Sequence, residues 1–140
     1  MSMSWLVYAL VSAAAAAATA VLAKIGVQGV PSTLATAIRT GVVLIFAWLM
    51  VVQAGELRYV TTISRRSLMF LALSGIGTGI SWLAYFRALQ LGPASRVAPI
   101  DKLSLPLTVL LAMLVLSEKV TWTVGLGVTL MVVGALVTLL

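Results

Sequence analysis

The sequence contains neither cysteine nor histidine among its 140 residues. The first absence excludes disulfides and thiolate chemistry, and the second excludes imidazole metal ligands and imidazole general bases. Acidic residues are also scarce, since the chain has only Glu56, Asp101 and Glu118. Three separated carboxylates are too few for an oxygen-lined metal cage. The sequence therefore predicts no metal site, no cofactor and no enzyme.

Charge of either sign is rare compared with apolar side chains. Charged residues make up 9% of the chain and hydrophobic residues 62%, against about 25% and about 45–50% in soluble domains. The net charge of +6 comes from basic residues scattered at the ends of apolar segments. A nucleic-acid site would gather them on one face, so no nucleic-acid partner is predicted. Flanking basic residues instead fit the anionic headgroups of a lipid bilayer.

Five apolar stretches are each long enough to cross a bilayer, because its core of about 30 Å needs about 20 helical residues. They are residues 4–23, 33–53, 68–91, 96–117 and 120–140. Only helices keep the backbone paired in lipid without a closed barrel. No basic residue precedes Lys24, which favours a retained first helix over a secretory signal. The chain is predicted to be a single all-α domain over residues 1–140, a multi-pass protein of the plasma or inner membrane.

The distribution of basic residues between the two sides of the membrane is nearly even. With a cytoplasmic N-terminus, the inner loops contain Arg58, Arg65, Arg66 and Lys119, and the outer positions are Lys24, Arg87 and Arg96. Four against three is a weak bias under the positive-inside rule. An odd number of spans with this bias is compatible with insertion in both directions, and hence with an antiparallel homodimer.

An acidic and a basic residue fall at matching depths in two predicted spans. Arg39 lies six residues after the start of the second span, and Asp101 lies five residues after the start of the fourth. Both starts lie on the same side of the membrane. At 1.5 Å per residue, both side chains originate roughly 8–9 Å below that surface. A buried charge in a membrane marks a functional site by default, and we expect these two to approach each other, directly or through water. Two interpretations stay open: a clamp between helices, and a gate or a proton- or substrate-responsive site.

The fourth span also carries a polar stripe. Asp101, Ser104 and Thr108 are spaced i, i+3 and i+7, which places them on one face of a continuous helix. Lys102 is about 100° further around the helix and is predicted to lie off that face. A stripe of this kind on an apolar helix indicates a wetted lining.

Two prolines interrupt the same span. Pro99 leaves the carbonyl of Ser95 without its usual donor, and Pro106 does the same for Lys102. Freed carbonyls beside a buried charge are typical of the broken helices of transporters. Proline kinks also occur in passive helix bundles, so the pattern leaves both interpretations open.

The third span combines aromatic residues and glycines. Trp82 and Tyr85 point into the same sector, either as packing residues or as rings that stack on a substrate. Gly75 and Gly79 form a GxxxG pair, which favours close helix packing, with a thin, mobile patch along a path as the alternative. Arg87 and Lys24 lie nearer the surface and are predicted to extend towards it.

Two runs of the sequence resemble the EamA-type members of the drug/metabolite transporter superfamily. They are VLAKIGVQGVPSTLATAIRTG and YFRALQLGPASRVAPIDKLSLPLTVLLAMLVLSEKVTWTVGLGVTLMVVGALV. In this resemblance, Lys24 matches the family's first-turn lysine, Arg39 its second-helix arginine and Glu118 its loop acid. The second run also resembles the family's ALxxGPAS turn, its proline-containing helix and its glycine-bearing last helix.

The resemblance implies one half of a ten-helix inverted-repeat fold. Most such relatives contain two five-helix repeats of opposite orientation, and this chain has the length of one. An antiparallel homodimer with a central path for a small solute is therefore implied, acting as an exporter of small metabolites or amino-acid-like compounds. The alternative is a non-transporting membrane subunit that assembles with, or regulates, another membrane protein.

Overall fold

The computed structural model describes residues 4–140, and within them every regular element is a helix. The α-helices are α1 (Ser4–Gly26), α2 (Ser32–Gln53), α3 (Arg65–Leu91), α4 (Ala94–Asp101), α5 (Ser104–Val115) and α6 (Trp122–Val137). A 3₁₀ helix, Glu56–Thr62, lies between α2 and α3. The predicted all-α fold is confirmed, and the first three predicted spans match α1 to α3 within three residues at each end.

The start of α3 shows why a helix end can differ from the limit of an apolar run. Hydropathy places this span from residue 68, but the helix begins at Arg65. Ser64 accepts a hydrogen bond at its Oγ from the backbone N–H of Ser67, at 3.0 Å. Such a serine cap satisfies one of the free N–H groups at a helix start, so the helix begins in the polar segment before the apolar run.

The fourth predicted span is two helices, and this corrects the prediction of one. The helix stops after Asp101 and resumes at Ser104, because Pro106 has no N–H to donate to the carbonyl of Lys102. That carbonyl accepts instead from the N–H of Leu105, at 3.0 Å. The freed carbonyl expected from the sequence is thus paired within a tight turn. Taken together, Ala94–Val115 remains long and apolar enough to cross a bilayer.

The last helix is shorter than the predicted span 120–140. The helix α6 begins at Trp122 after Thr121, whose Oγ1 accepts from the N–H of Val124. Its 16 residues extend about 24 Å at 1.5 Å per residue. After Val137 the backbone pairs in i to i+3 fashion up to Leu140, so a tighter coil, rising about 2 Å per residue, continues the helix.

The chain divides into two compact units. The first unit is Ala23–Gln90 and contains α2, the 3₁₀ helix and α3. Its buried residues are Val27, Thr36, Phe86 and Leu89. The second unit combines residues 4–22 with Leu91–Leu140, and in it both α4 and α5 pack against α6. Most other large apolar side chains are exposed, as expected where lipid rather than protein covers a helix.

A glycine in a left-handed conformation ends α2. Gly55 has a φ of 68°, and its N–H donates to the carbonyl of Val52, at 3.1 Å. A side chain at positive φ costs free energy that glycine avoids. Gly55 therefore allows the chain to leave α2 and enter the 3₁₀ helix.

We expect Gly55→Ala to destabilise the protein by about 1 kcal/mol. The melting temperature in detergent should fall by roughly 3–5 °C. Gly127→Ala, inside α6 with no atom within 4 Å of the added Cβ, is the matched control and should not lower it. Equal melting temperatures for the two variants would contradict the role of Gly55.

Candidate functional site

Asp101 lies at the point where the fourth segment is interrupted. Its Oδ2 is 3.6 Å from the Nζ of Lys102, and the two side chains are 35% and 57% exposed. Lys102 was predicted to lie off the face of Asp101, and the two charged groups nevertheless approach each other. The helix ends at Asp101, and the flexible lysine stem spans the angle between adjacent positions. Within residues 4–140, no three acidic side chains gather as possible metal ligands.

The predicted polar stripe is also divided by the interruption. Asp101 ends α4, whereas Ser104 and Thr108 lie one turn apart on α5. The spacing i, i+3 and i+7 defines one face of a continuous helix, and a shared face from Asp101 to Thr108 across this turn stays a prediction. Thr108 donates its hydroxyl proton to the carbonyl of Ser104, at 2.8 Å. This bond uses the threonine donor within α5.

Arg39 contacts two aromatic rings of α3. Its Cζ is 4.2 Å from the ring centroid of Trp82 and 5.4 Å from that of Phe86. Arg39 and Trp82 are partly buried, and Phe86 is 2% exposed. A cation over an aromatic face gains about 2 kcal/mol when water is excluded, which offsets part of the cost of a charge within a span. The predicted approach of Arg39 to Asp101 stays a prediction.

Sequence reasoning included Trp82 and Tyr85 in the candidate site but missed Phe86. Trp82 and Phe86 are spaced i, i+4 on α3 and so share a face, and both face Arg39. Tyr85 lies against Phe86, with ring centroids 6.3 Å apart and an angle of 44° between the rings. The spacing from Trp82 was the available signal, because a cation within a span needs aromatic or polar partners on one helix face.

Gln90, which sequence reasoning also missed, joins α3 to the turn between α1 and α2. Its Nε2 donates to the carbonyl of Val30 at 2.6 Å and to that of Val27 at 3.3 Å. Its Oε1 accepts from Nη1 of Arg87, at 3.1 Å. One amide therefore pairs two carbonyls of the turn, and that of Val27 also accepts from the N–H of Val30.

Lys24 supplements this connection from α1. Its Nζ donates to the carbonyl of Leu89, in the last turn of α3. A cation near a helix C-terminus is favoured because the unpaired carbonyls carry partial negative charge. The ammonium of Lys24 is thus bound at the C-terminal end of a neighbouring helix, and its extension towards the membrane surface stays a prediction.

The glycines of the third span have open space around them. Within Ala23–Gln90, no atom outside the local helix lies within 4 Å of a Cβ built on Gly75 or Gly79. Close packing at this GxxxG pair therefore stays a prediction. Pro99 and Pro106, the other residues assigned to helix shape, lie on either side of the interruption between α4 and α5.

Long apolar helices and an interrupted span define a multi-pass integral membrane protein. Residues 3–140 match the model of the EamA-like transporter family, and the chain therefore belongs to this family. It is a membrane transporter, as the resemblance implied. A protein of Sinorhizobium sp, named as an uncharacterized transporter in the cobO 3' region, is 50% identical over 136 residues, 97% of this chain and 96% of the relative. No solved structure matches the chain.

We expect Gln90→Leu to destabilise the protein, because the carbonyls of Val27 and Val30 lose a donor. Each lost hydrogen bond costs about 0.5–1.5 kcal/mol, so the melting temperature in detergent should fall by several degrees. Gln53→Leu is the matched control, since Gln53 is exposed at the end of α2. A similar melting temperature for both variants would contradict the structural role of Gln90.

Proposed function

We propose that this protein is a secondary transporter that exports small metabolites or amino-acid-like solutes as an antiparallel homodimer. The family match over residues 3–140 carries the proposal, because it covers nearly all of the chain. The homologous transporter has about the same length, since the alignment covers nearly all of both chains. The length expected for a single five-helix repeat is therefore also that of a related transporter.

Two observations support pairing with a second copy of the chain. The near-even distribution of basic residues favours neither orientation strongly. The glycine pair on α3 also presents a thin helix surface with no close neighbour within Ala23–Gln90, and such surfaces allow helices of membrane proteins to approach closely. Two copies in opposite orientations would then form the two halves of an alternating-access transporter.

We assign the coupling role to Asp101. Its carboxylate is partly exposed and lies where α4 ends, next to the ammonium of Lys102. Binding of a proton to Asp101 would neutralise the carboxylate and leave the Lys102 charge without its partner. This loss of the ion pair would occur at a helix break, where segments reorient more easily than within a continuous helix. Ser104 and Thr108, which follow on one face of α5, are proposed to line the solute path.

Asp101→Asn should abolish proton-coupled transport while the dimer stays intact, because asparagine cannot exchange a proton at this position. The measurement uses proteoliposomes that contain the pH-sensitive dye pyranine, to which amino acids and small metabolites are added one at a time. Glu118→Gln, in the loop between α5 and α6, is the matched control and should retain solute-driven proton movement. Unchanged proton movement with Asp101→Asn would rule out the coupling role.

A tag at the C-terminus should be found on both sides of the membrane if the homodimer is antiparallel. Labelling intact cells and then permeabilised cells with an impermeant reagent would measure the two fractions, and we expect them to be about equal. A uniform orientation would contradict the antiparallel arrangement. Co-purification with a different membrane protein, together with no solute flux, would favour a non-transporting subunit instead.

A further inference from the structure

Arg39 is a cation inside a membrane-spanning helix whose observed partners are aromatic rings. At 1.5 Å per residue, it lies about 10 Å from the first residue of α2. Within Ala23–Gln90, it has no carboxylate partner and no hydrogen-bond acceptor. Charged side chains in spans usually pair with another charge or with carbonyls. The arrangement of Arg39 therefore requires a separate explanation.

The two aromatic rings contact the flat face of the Arg39 guanidinium and not its edge. The Arg39 Cζ lies over Trp82 at 4.2 Å and near Phe86 at 5.4 Å, and these contacts are with the ring faces. A guanidinium carries five N–H donors, all directed outward in its own plane. Stacking on a ring thus leaves the edge of the group available for hydrogen bonds.

The threonine hydroxyl groups nearest to Arg39 along α2 are bonded to the helix backbone. Thr36 donates to the carbonyl of Ser32, and Thr40 donates to the carbonyl of Thr36, both at 2.8 Å. Within Ala23–Gln90, neither hydroxyl accepts a hydrogen bond from Arg39. Phe86 is buried, and the side chains that contact the cation supply no negative charge.

A carboxylate has the shape and charge that this edge would bind. Its two oxygens match two parallel N–H groups of a guanidinium, and such charge-assisted pairs are strong and directional. A carboxylate also neutralises a charge that is costly within the membrane. We infer that Arg39, held by Trp82 and Phe86, binds the carboxylate group of the transported solute. This inference rests on the proposed transport function and specifies the chemical class of its substrate.

The test measures binding to the full-length protein in lipid nanodiscs. The probes are benzoate and acetate, each compared at equal ionic strength with its uncharged amide, benzamide or acetamide. The melting temperature should rise with the carboxylates and not with the amides. Equal effects of acid and amide, or no effect of either carboxylate, would overturn the inference. Stabilisation by inorganic phosphate alone would also overturn it, since the site would then take a different anion.

Variants of two arginines show whether Arg39 is responsible. Arg39→Gln should weaken binding of benzoate on the order of 30-fold or more, as expected when one partner of a charged hydrogen-bonded pair is removed. Arg58→Gln is the matched control, because Arg58 also stacks on a ring, that of Tyr59 at 4.9 Å, but lies in the 3₁₀ helix outside the spans. Loss of binding in both variants, or in neither, would contradict a site at Arg39.

A second substitution covers the case in which Arg39→Gln does not fold. Arg39→Lys keeps the positive charge but loses the two parallel donors, so benzoate should bind on the order of 10-fold more weakly. Unchanged affinity in this variant would contradict bidentate binding. Because binding is measured without flux, carboxylate binding in the absence of transport would support the site and contradict the proposed function. Transport of a neutral solute that Arg39→Gln leaves unchanged would support the proposed function and contradict the carboxylate site.

Discussion

The structure depends above all on one constraint: a backbone within a bilayer has no water to pair with. Every segment long enough to cross the membrane is therefore helical, and the ends and breaks of the helices need donors from elsewhere. Gln90 supplies two to the turn after α1, and Lys24 supplies one to the last turn of α3. At the break after Asp101, the N–H of Leu105 donates to the carbonyl of Lys102, which Pro106 cannot do because it has no N–H. These hydrogen bonds between distant or interrupted segments are thus found where helices end.

The same constraint decides how the chain carries charge. Two charged side chains of the candidate site are stabilised in different ways. Asp101 has a lysine beside it at a helix break, whereas Arg39 has aromatic rings across from it within a span. The ion pair is partly exposed and lies at a helix end. The cation–π contact leaves the donors at the edge of the guanidinium available. These differences are the reason for assigning coupling to Asp101 and solute binding to Arg39.

Membership of a transporter family gives these local features a common context. A transporter must change which side of the membrane its site faces, and rigid continuous helices resist such a change. The fourth segment is not such a continuous helix, since it is divided into α4 and α5. The arrangement around Gln90, by contrast, ties α3 to the turn after α1 by two hydrogen bonds. The chain therefore combines a firmly connected region with an interrupted one.

The sequence by itself determined the class of the protein and the approximate limits of its helices, because hydropathy and segment length report directly on what a bilayer accepts. It also indicated an interruption near Pro106, since the missing N–H is a covalent property. The partners of the charged side chains depended on the tertiary structure. Asp101 and Lys102 form an ion pair at the end of α4, and Arg39 meets Phe86 only because α2 and α3 bring the two together. Such contacts join residues far apart in sequence or depend on the exact end of a helix, and neither is encoded in local hydropathy.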